Sequence, residues 1–270
     1  MNDTPGAEAR KGTVDGAVGL QPVTLSEESG VRYLHFGTEW VQGAMRIAQP
    51  YRLELEYQQQ MMAPLLLLPR PRRVVQLGLG AAALTKFCYR HLRSAETVVV
   101  EIDPTVIGTA RKWFGLPEQD ERLTIVRADA FAFLRRPGVR ASTDWLQVDL
   151  YDARARGPVY DDDAFYRACR RVLREPGIAS FNLFGRSFGP SLERIAGAFD
   201  RRVVVMRETT FGNRVVLAAS GPPIRIAARR LQQRAAAIEA GYGLPARRWL
   251  TGLQPRGSRA RVPPQDGFSL

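Results

Sequence analysis

Two carboxylates three residues apart, Asp149 and Asp152 in Gln147-Val148-Asp149-Leu150-Tyr151-Asp152, open a long loop that continues through Gly157 and Pro158. An acid pair of this kind can hold a cationic amine and take its proton. Alkyl amines titrate like lysine, at a pKa of about 10, so a base must remove a proton before the nitrogen can attack carbon. The plainer uses are Asp152 as a turn former and Asp149 as a loop or helix cap. Upstream, Gly78-Leu79-Gly80-Ala81-Ala82-Ala83 lies between an apolar run and a helical pattern, where bare backbone can approach a ligand that a side chain would keep away. Alone, this run is a weak signal. It gains force from Glu101, which ends Val98-Val99-Val100-Glu101 about 20 residues further on, the usual reach of an acid that accepts hydrogen bonds from ribose hydroxyls. Its alternative is a solvated strand end. Asp129, in Arg127-Ala128-Asp129-Ala130-Phe131, stands at another strand end, where it could accept from an adenine exocyclic amine or cap the next helix. An acceptor there favours a single adenosine over a dinucleotide.

These residues need elements to hold them. Residues 31–36 alternate as a strand, 37–43 supply turn residues, and a second short strand is expected at 44–47, together a small N-terminal β-element. A helix over 53–63 carries Tyr57, Gln58, Gln59 and Gln60 in its middle and ends or kinks at Pro64. Strands at 74–77, 97–102, 123–127 and 145–150 then alternate with helices at 82–91, 105–114, 130–135 and 163–173. Apolar strands in that order form a parallel sheet covered on both faces. Runs 203–208 and 214–219, joined by 209–213 with Gly212-Asn213 at its centre, read as an antiparallel hairpin. A nicotinamide-binding domain would continue with parallel strands and offers no proton donor here. The expected fold is therefore α/β and Rossmann-like, of the class I methyltransferase type: a mostly parallel seven-stranded sheet with an antiparallel final hairpin and the small N-terminal β-element.

The chain divides by composition into a disordered leader (1–25), the β-element (26–52), a nucleoside-binding domain of catalytic type (53–221) and a basic helical extension with a frayed end (222–270). In that extension Ile224, Ala228, Leu231, Ala235 and Ile238 recur at helical spacing among arginines, which reads as a helix docked on the domain. The net charge of +12 resembles a nucleic-acid signal until it is located: nine Arg against Glu239 and Asp266 put +7 of it in residues 221–270. A solvated basic tail is favoured over a nucleic-acid-binding arm. No apolar run approaches the roughly 20 residues of a membrane span, and the N-terminus lacks a signal-peptide layout, so the expected location is the cytoplasm. Two cysteines, Cys88 and Cys169, and two histidines leave little for a metal site, and both cysteines read as buried small hydrophobes.

The Glu101-Ile102-Asp103 strand end, the turn from Arg127 to Phe131, and Val148 to Asp152 followed by Phe165-Tyr166 resemble consecutive motifs of the spermidine synthase (polyamine aminopropyltransferase) family. Trp40-Val41-Gln42-Gly43 and Tyr57 resemble its N-terminal gate and first helix, and the likeness runs from about residue 31 to 221. The resemblance implies transfer of an aminopropyl group from decarboxylated S-adenosylmethionine to a diamine such as putrescine, releasing methylthioadenosine, with no metal. It implies that Gln42, Gly78, Gly80, Glu101, Asp129 and Ala130 hold the nucleoside, that Asp149 is the base, Asp152 an amine anchor and Tyr57 part of the gate, and that the chain pairs as a homodimer. Departures lie at the amine end. Ala81 stands where family members carry an acid, Gln58 follows Tyr57 in place of His, and Arg214 follows the hairpin turn, where its charge would repel a polyamine. The competing expectations are a nucleoside-binding protein without polyamine activity and a methyltransferase using intact S-adenosylmethionine.

Overall fold

The computed structural model describes residues 23–151, 159–185, 188–251, 253–255 and 268–270. Strands β1 (Val23–Glu28), β2 (Val31–Phe36) and β3 (Gly43–Arg46) pair antiparallel in chain order. The leader expected over 1–25 thus ends earlier: Val23 and Leu25 belong to β1 and pack on buried Leu34, Met45 and Phe114. The helix expected over 53–63 is shorter, α1 (Glu56–Met61), and a 3-10 turn at Ala63–Leu66 takes Pro64 in its first turn, where its missing N–H costs nothing.

Strands and helices then alternate: β4 (Arg73–Leu77), α2 (Ala83–His91), β5 (Glu96–Glu101), α3 (Pro104–Phe114), β6 (Leu123–Arg127), α4 (Ala130–Leu134), β7 (Thr143–Val148), α5 (Asp163–Val172), β8 (Leu173–Phe184), α6 (Phe188–Ala198), β9 (Val203–Val205) and β10 (Asn213–Ser220). After them come β11 (Arg225–Ile226), α7 (Ala228–Tyr242), α8 (Ala246–Leu250), β12 (Gln254–Pro255) and β13 (Phe268–Ser269). The main sheet runs β12-β9-β10-β8-β7-β4-β5-β6. Strands β6, β5, β4, β7 and β8 are parallel neighbours, and β10 lies antiparallel between β8 and β9. This is the expected mostly parallel seven-stranded sheet with its antiparallel hairpin, extended by the two residues of β12.

Sequence reading passed over β8 and α6. Glu175-Pro176-Gly177 near the start of β8 punctuates like a turn, yet the strand is buried from Gly177 to Leu183. The sheet has two apolar faces. Val74, Trp145, Ile178 and Leu217 face α2, α7 and the 3-10 turn, whereas Val75, Leu146, Ala179 and Val216 face α4, α5 and α6.

Of the extension expected to end frayed, residues 256–267 lie outside the described residues, and the described parts are docked. Leu231, Ala235 and Ile238 of α7 are buried, Arg234 donates to the Leu66 and Leu67 carbonyls at 2.8 and 3.1 Å, and Leu270 exchanges two backbone hydrogen bonds with Ile224. Phe268 and Leu270 are buried in the same cluster as α7. Among the described residues no helix is long and apolar enough to cross a membrane. Phe268→Ala is expected to destabilise the protein by about 3 kcal/mol through the lost apolar contact and the cavity left behind. An unchanged urea midpoint would show that the terminal strand is not docked in solution.

Candidate active site

The carboxyl ends of β4, β5, β6 and β7 surround a cavity of about 1250 Å³, closed on one side by α1, the turn after β2 and the loop before β10. Gly78, Gly80, Gln42, Tyr57, Glu101, Asp129, Ala130 and Asp149 all line it, so the structure brings together eight of the nine residues singled out from sequence. The ninth, Asp152, lies outside the described residues.

The glycine-rich loop is dictated by crowding. Gly78 has φ +92°, and a methyl group there would lie 2.3 Å from the Asp149 carbonyl oxygen, so the ends of β4 and β7 touch only because position 78 has no side chain. Gly80, at φ +51°, sits against the Gln42 carbonyl. Ala81 packs on Gly43, where an added methyl group would come within 2.5 Å of the Ala81 Cβ.

Glu101 ends β5 partly buried, with one carboxylate oxygen accepting from the Leu79 N–H at 3.0 Å and the other from the Asp103 N–H at 2.9 Å. Burial raises its pKa, and these backbone donors oppose the rise. They fasten the acid to the glycine-rich loop, and each oxygen keeps a lone pair for a further donor. Asp129 is a helix cap as well as a cavity residue: one oxygen accepts from the Ala132 N–H at 2.8 Å and the other from the Tyr160 hydroxyl. Of the two uses considered from sequence, the cap is present, and the same side chain faces the cavity.

Asp149 is the first residue past β7. Its oxygens accept from the Tyr57 hydroxyl at 3.2 Å and from the Asn182 side-chain amide at 2.9 Å. Burial raises the carboxyl above the ordinary aspartate value, and the two hydrogen bonds pull it back. Tyr57 in turn is raised, first by burial and then by the Asp149 charge, so the phenol stays a donor. Sequence reasoning missed Asn182 and Tyr160, because neither falls in a spaced motif. Asn182 could have been found as the one strongly polar side chain in the apolar run from Ile178 to Phe184.

Arg214 does not act as expected. It pairs with Glu208, lies 4.5 Å over the Phe188 ring and is not among the cavity residues, whereas its neighbours Phe211 and Asn213 are. The repulsion expected from it is thereby removed. Cys88 and Cys169 are both buried free thiols.

Fold and cavity together define a methyltransferase-type α/β protein with carboxylates at the ends of successive strands. Residues 54–182 match the spermine/spermidine synthase domain. The polyamine aminopropyltransferase of Chromobacterium violaceum is 33% identical over 227 residues, 83% of this chain and 86% of that protein. A probable spermidine synthase from Corynebacterium glutamicum superposes with a TM-score of 0.68 at 20% identity, over 95% of this chain and 98% of that one. Human methyltransferase-like protein 13, solved in complex with SAH, superposes with a TM-score of 0.61 at 24% identity, over 76% and 95%. The chain belongs to the spermine/spermidine synthase family.

Gly78→Ala is expected to destabilise the protein by about 2–4 kcal/mol, from left-handed strain and the clash with Asp149. Gly108→Ala, in α3 with open space around it, should gain about 0.5–1 kcal/mol. Equal effects in thermal unfolding would mean that the approach of β4 to β7 is looser than described.

Proposed function

We propose that the protein is an aminopropyltransferase that moves the aminopropyl group of decarboxylated S-adenosylmethionine to a diamine of the putrescine kind and releases methylthioadenosine. One observation carries the reading: among the described residues, the cavity is lined by seven carboxylates and by no lysine, arginine or histidine, in a chain of net charge +12. The glutamate among them that is neutralised, Glu54, is paired with Arg46. A sulfonium carrying a primary ammonium, and a diammonium acceptor, are both cations that such a lining attracts. The carboxylate of intact S-adenosylmethionine would be desolvated without a cation to meet it, which costs several kcal/mol, of the order of 2 or more.

In this reading Glu101 accepts from the ribose hydroxyls, Asp129 from the adenine amine, and Gln42 and Ala130 complete the nucleoside pocket, with Gly78 and Gly80 admitting the ligand to the backbone. Asp152 anchors the far ammonium of the acceptor. Asp149 takes a proton from the near one. The freed nitrogen lone pair then forms a bond to the propyl carbon as the carbon–sulfur bond breaks, and its electron pair neutralises the sulfonium. Tyr57, held to Asp149, fixes the direction from which the amine approaches. The residues bind two cations side by side and remove one proton, so catalysis is positioning and general-base chemistry.

A second reading, methyl transfer from intact S-adenosylmethionine, is favoured by the structural likeness to human methyltransferase-like protein 13. Calorimetric titration separates the two. The decarboxylated form should bind at least about tenfold more tightly, a difference of roughly 1.4 kcal/mol, and equal or tighter binding of the carboxylated form would favour methyl transfer. Asp149→Asn should lower methylthioadenosine release by about 10²–10⁴-fold while leaving nucleoside binding intact. A fully active variant would remove the base. Because Asp149 is raised and must be ionised to act, kcat/KM should fall as pH drops through a value above the ordinary aspartate pKa of about 3.9.

A further inference from the structure

The register of three strands sets Asp149, Asn182 and Asn213 in a row on the sheet face that α1 covers. Val148 of β7 stands opposite Phe181 of β8, which carries Asp149 to the level of Asn182, and Asn182 stands opposite Val215 of β10, which leaves Asn213 on the same face, diagonally beside it. The three side chains are hydrogen-bonded in sequence. Asn182 donates its Nδ2 to Asp149 Oδ1 at 2.9 Å, and Asn213 donates its Nδ2 to Asn182 Oδ1 at 3.1 Å. Chemistry fixes the polarity of this chain. An ionised carboxylate can only accept, so the amide of Asn182 must turn its nitrogen toward Asp149; its oxygen then faces Asn213, which must donate. An amide turned the other way would aim a carbonyl oxygen at a carboxylate.

Neither asparagine is free to move. Asn182 is buried at 4% exposure, and its backbone carbonyl accepts from the Tyr151 hydroxyl at 2.9 Å. Asn213 is held by the hairpin loop: its N–H donates to the Thr209 hydroxyl at 3.0 Å and its carbonyl accepts from the Thr209 N–H at 2.8 Å. The loop is fastened in turn to α1, because the Thr210 N–H donates to the Glu56 carboxylate at 2.9 Å. Glu56 adjoins Tyr57, the other donor to Asp149. Both donors of the carboxylate are therefore anchored to one connected unit, α1 and the loop before β10.

We propose that Asn213 is a positioning residue that acts on Asp149 through Asn182, holding the Asn182 amide in the orientation that keeps the carboxylate ionised and aimed into the cavity. Among the described residues, the titratable groups that face Asp149 are Tyr57 from α1 and Tyr151 from its own loop. β8 and β10 contribute the two amides, and β4 contributes Gly78, which has no side chain. The consequence for catalysis rests on the function proposed above, whereas the coupling does not.

The test is a double-mutant cycle read on the Asp149 carboxyl carbon by NMR, in full-length protein labelled with ¹³C-aspartate and with Asp149→Asn as the assignment control. Asn213→Leu should raise the Asp149 pKa, Asn182→Leu should raise it further, by roughly one unit for loss of one hydrogen bond to a charge, and the double variant should match Asn182→Leu alone. The acid limb of kcat/KM for methylthioadenosine release should move by the same amounts, with nucleoside affinity unchanged. Additive shifts, or an Asn213→Leu pKa equal to wild type, would overturn the relay. If Asn182→Leu fails to fold, Asn213→Leu against wild type decides the matter alone. A wild type that releases no methylthioadenosine from any diamine defeats the proposed function, and the carboxyl titration still judges the relay.

Discussion

The ends of β4 and β7 meet at a distance that no side chain permits, and the cavity depends on that meeting. With Gly78 bare, the loop that follows β4 passes over the Asp149 carbonyl and turns back into α2, while the Asp149 side chain is left pointing toward α1. Glu101 then fastens the loop from the β5 side through the Leu79 N–H. Three strand ends are thus tied to one another, two by backbone contact and the third through the Glu101 carboxylate, before any ligand is considered. A parallel sheet permits this because neighbouring strands finish on the same edge, so that the loops after them share one crevice.

How far the sequence could be read follows from which of these constraints leave a local trace. Gly78, Glu101 and Asp129 each stand at a strand end followed by a helix pattern, and that punctuation is visible without coordinates. The antiparallel hairpin was legible from two apolar runs around Gly212-Asn213. β8 was not, because Pro176-Gly177 looks like a turn, and burial of the residues after it is decided by neighbours far away in sequence. The docking of Phe268 and Leu270 left no trace, since nothing near them repeats or alternates; their partners are Ile226 and Ile224, more than forty residues earlier. The Asn182 and Asn213 contacts were hidden for a similar reason. An isolated asparagine in a strand carries no period, and what gives it meaning is the register of β7, β8 and β10.

Arg214 shows the converse limit, in which a residue type is read correctly and its direction is not. Adjacent residues of β10 face opposite sides of the sheet, so Asn213 lines the cavity and Arg214 turns away to Glu208 and Phe188. A charge counted in sequence as a neighbour of the site is spent on the other face. Arg194 and Arg234 are likewise spent away from the cavity, on Asp161 and on the Leu66 carbonyl.

The nature of the groups that hold Asp149 matters as much as their number. An arginine or lysine in place of Asn182 would bind the carboxylate more strongly, but it would lower the pKa and cancel the negative charge that the proposed ammonium ligand would meet. A wholly apolar surround would favour the protonated, uncharged carboxyl, since burial alone raises it. A phenol and an amide lie between these extremes. Each donates one hydrogen bond, each keeps its own neutrality, and together they occupy one lone pair on each oxygen while the remaining pairs stay available. In the proposed reaction, neutral donors orient the base without competing for its substrate, and that reading gives a reason for an asparagine buried in the middle of an apolar strand.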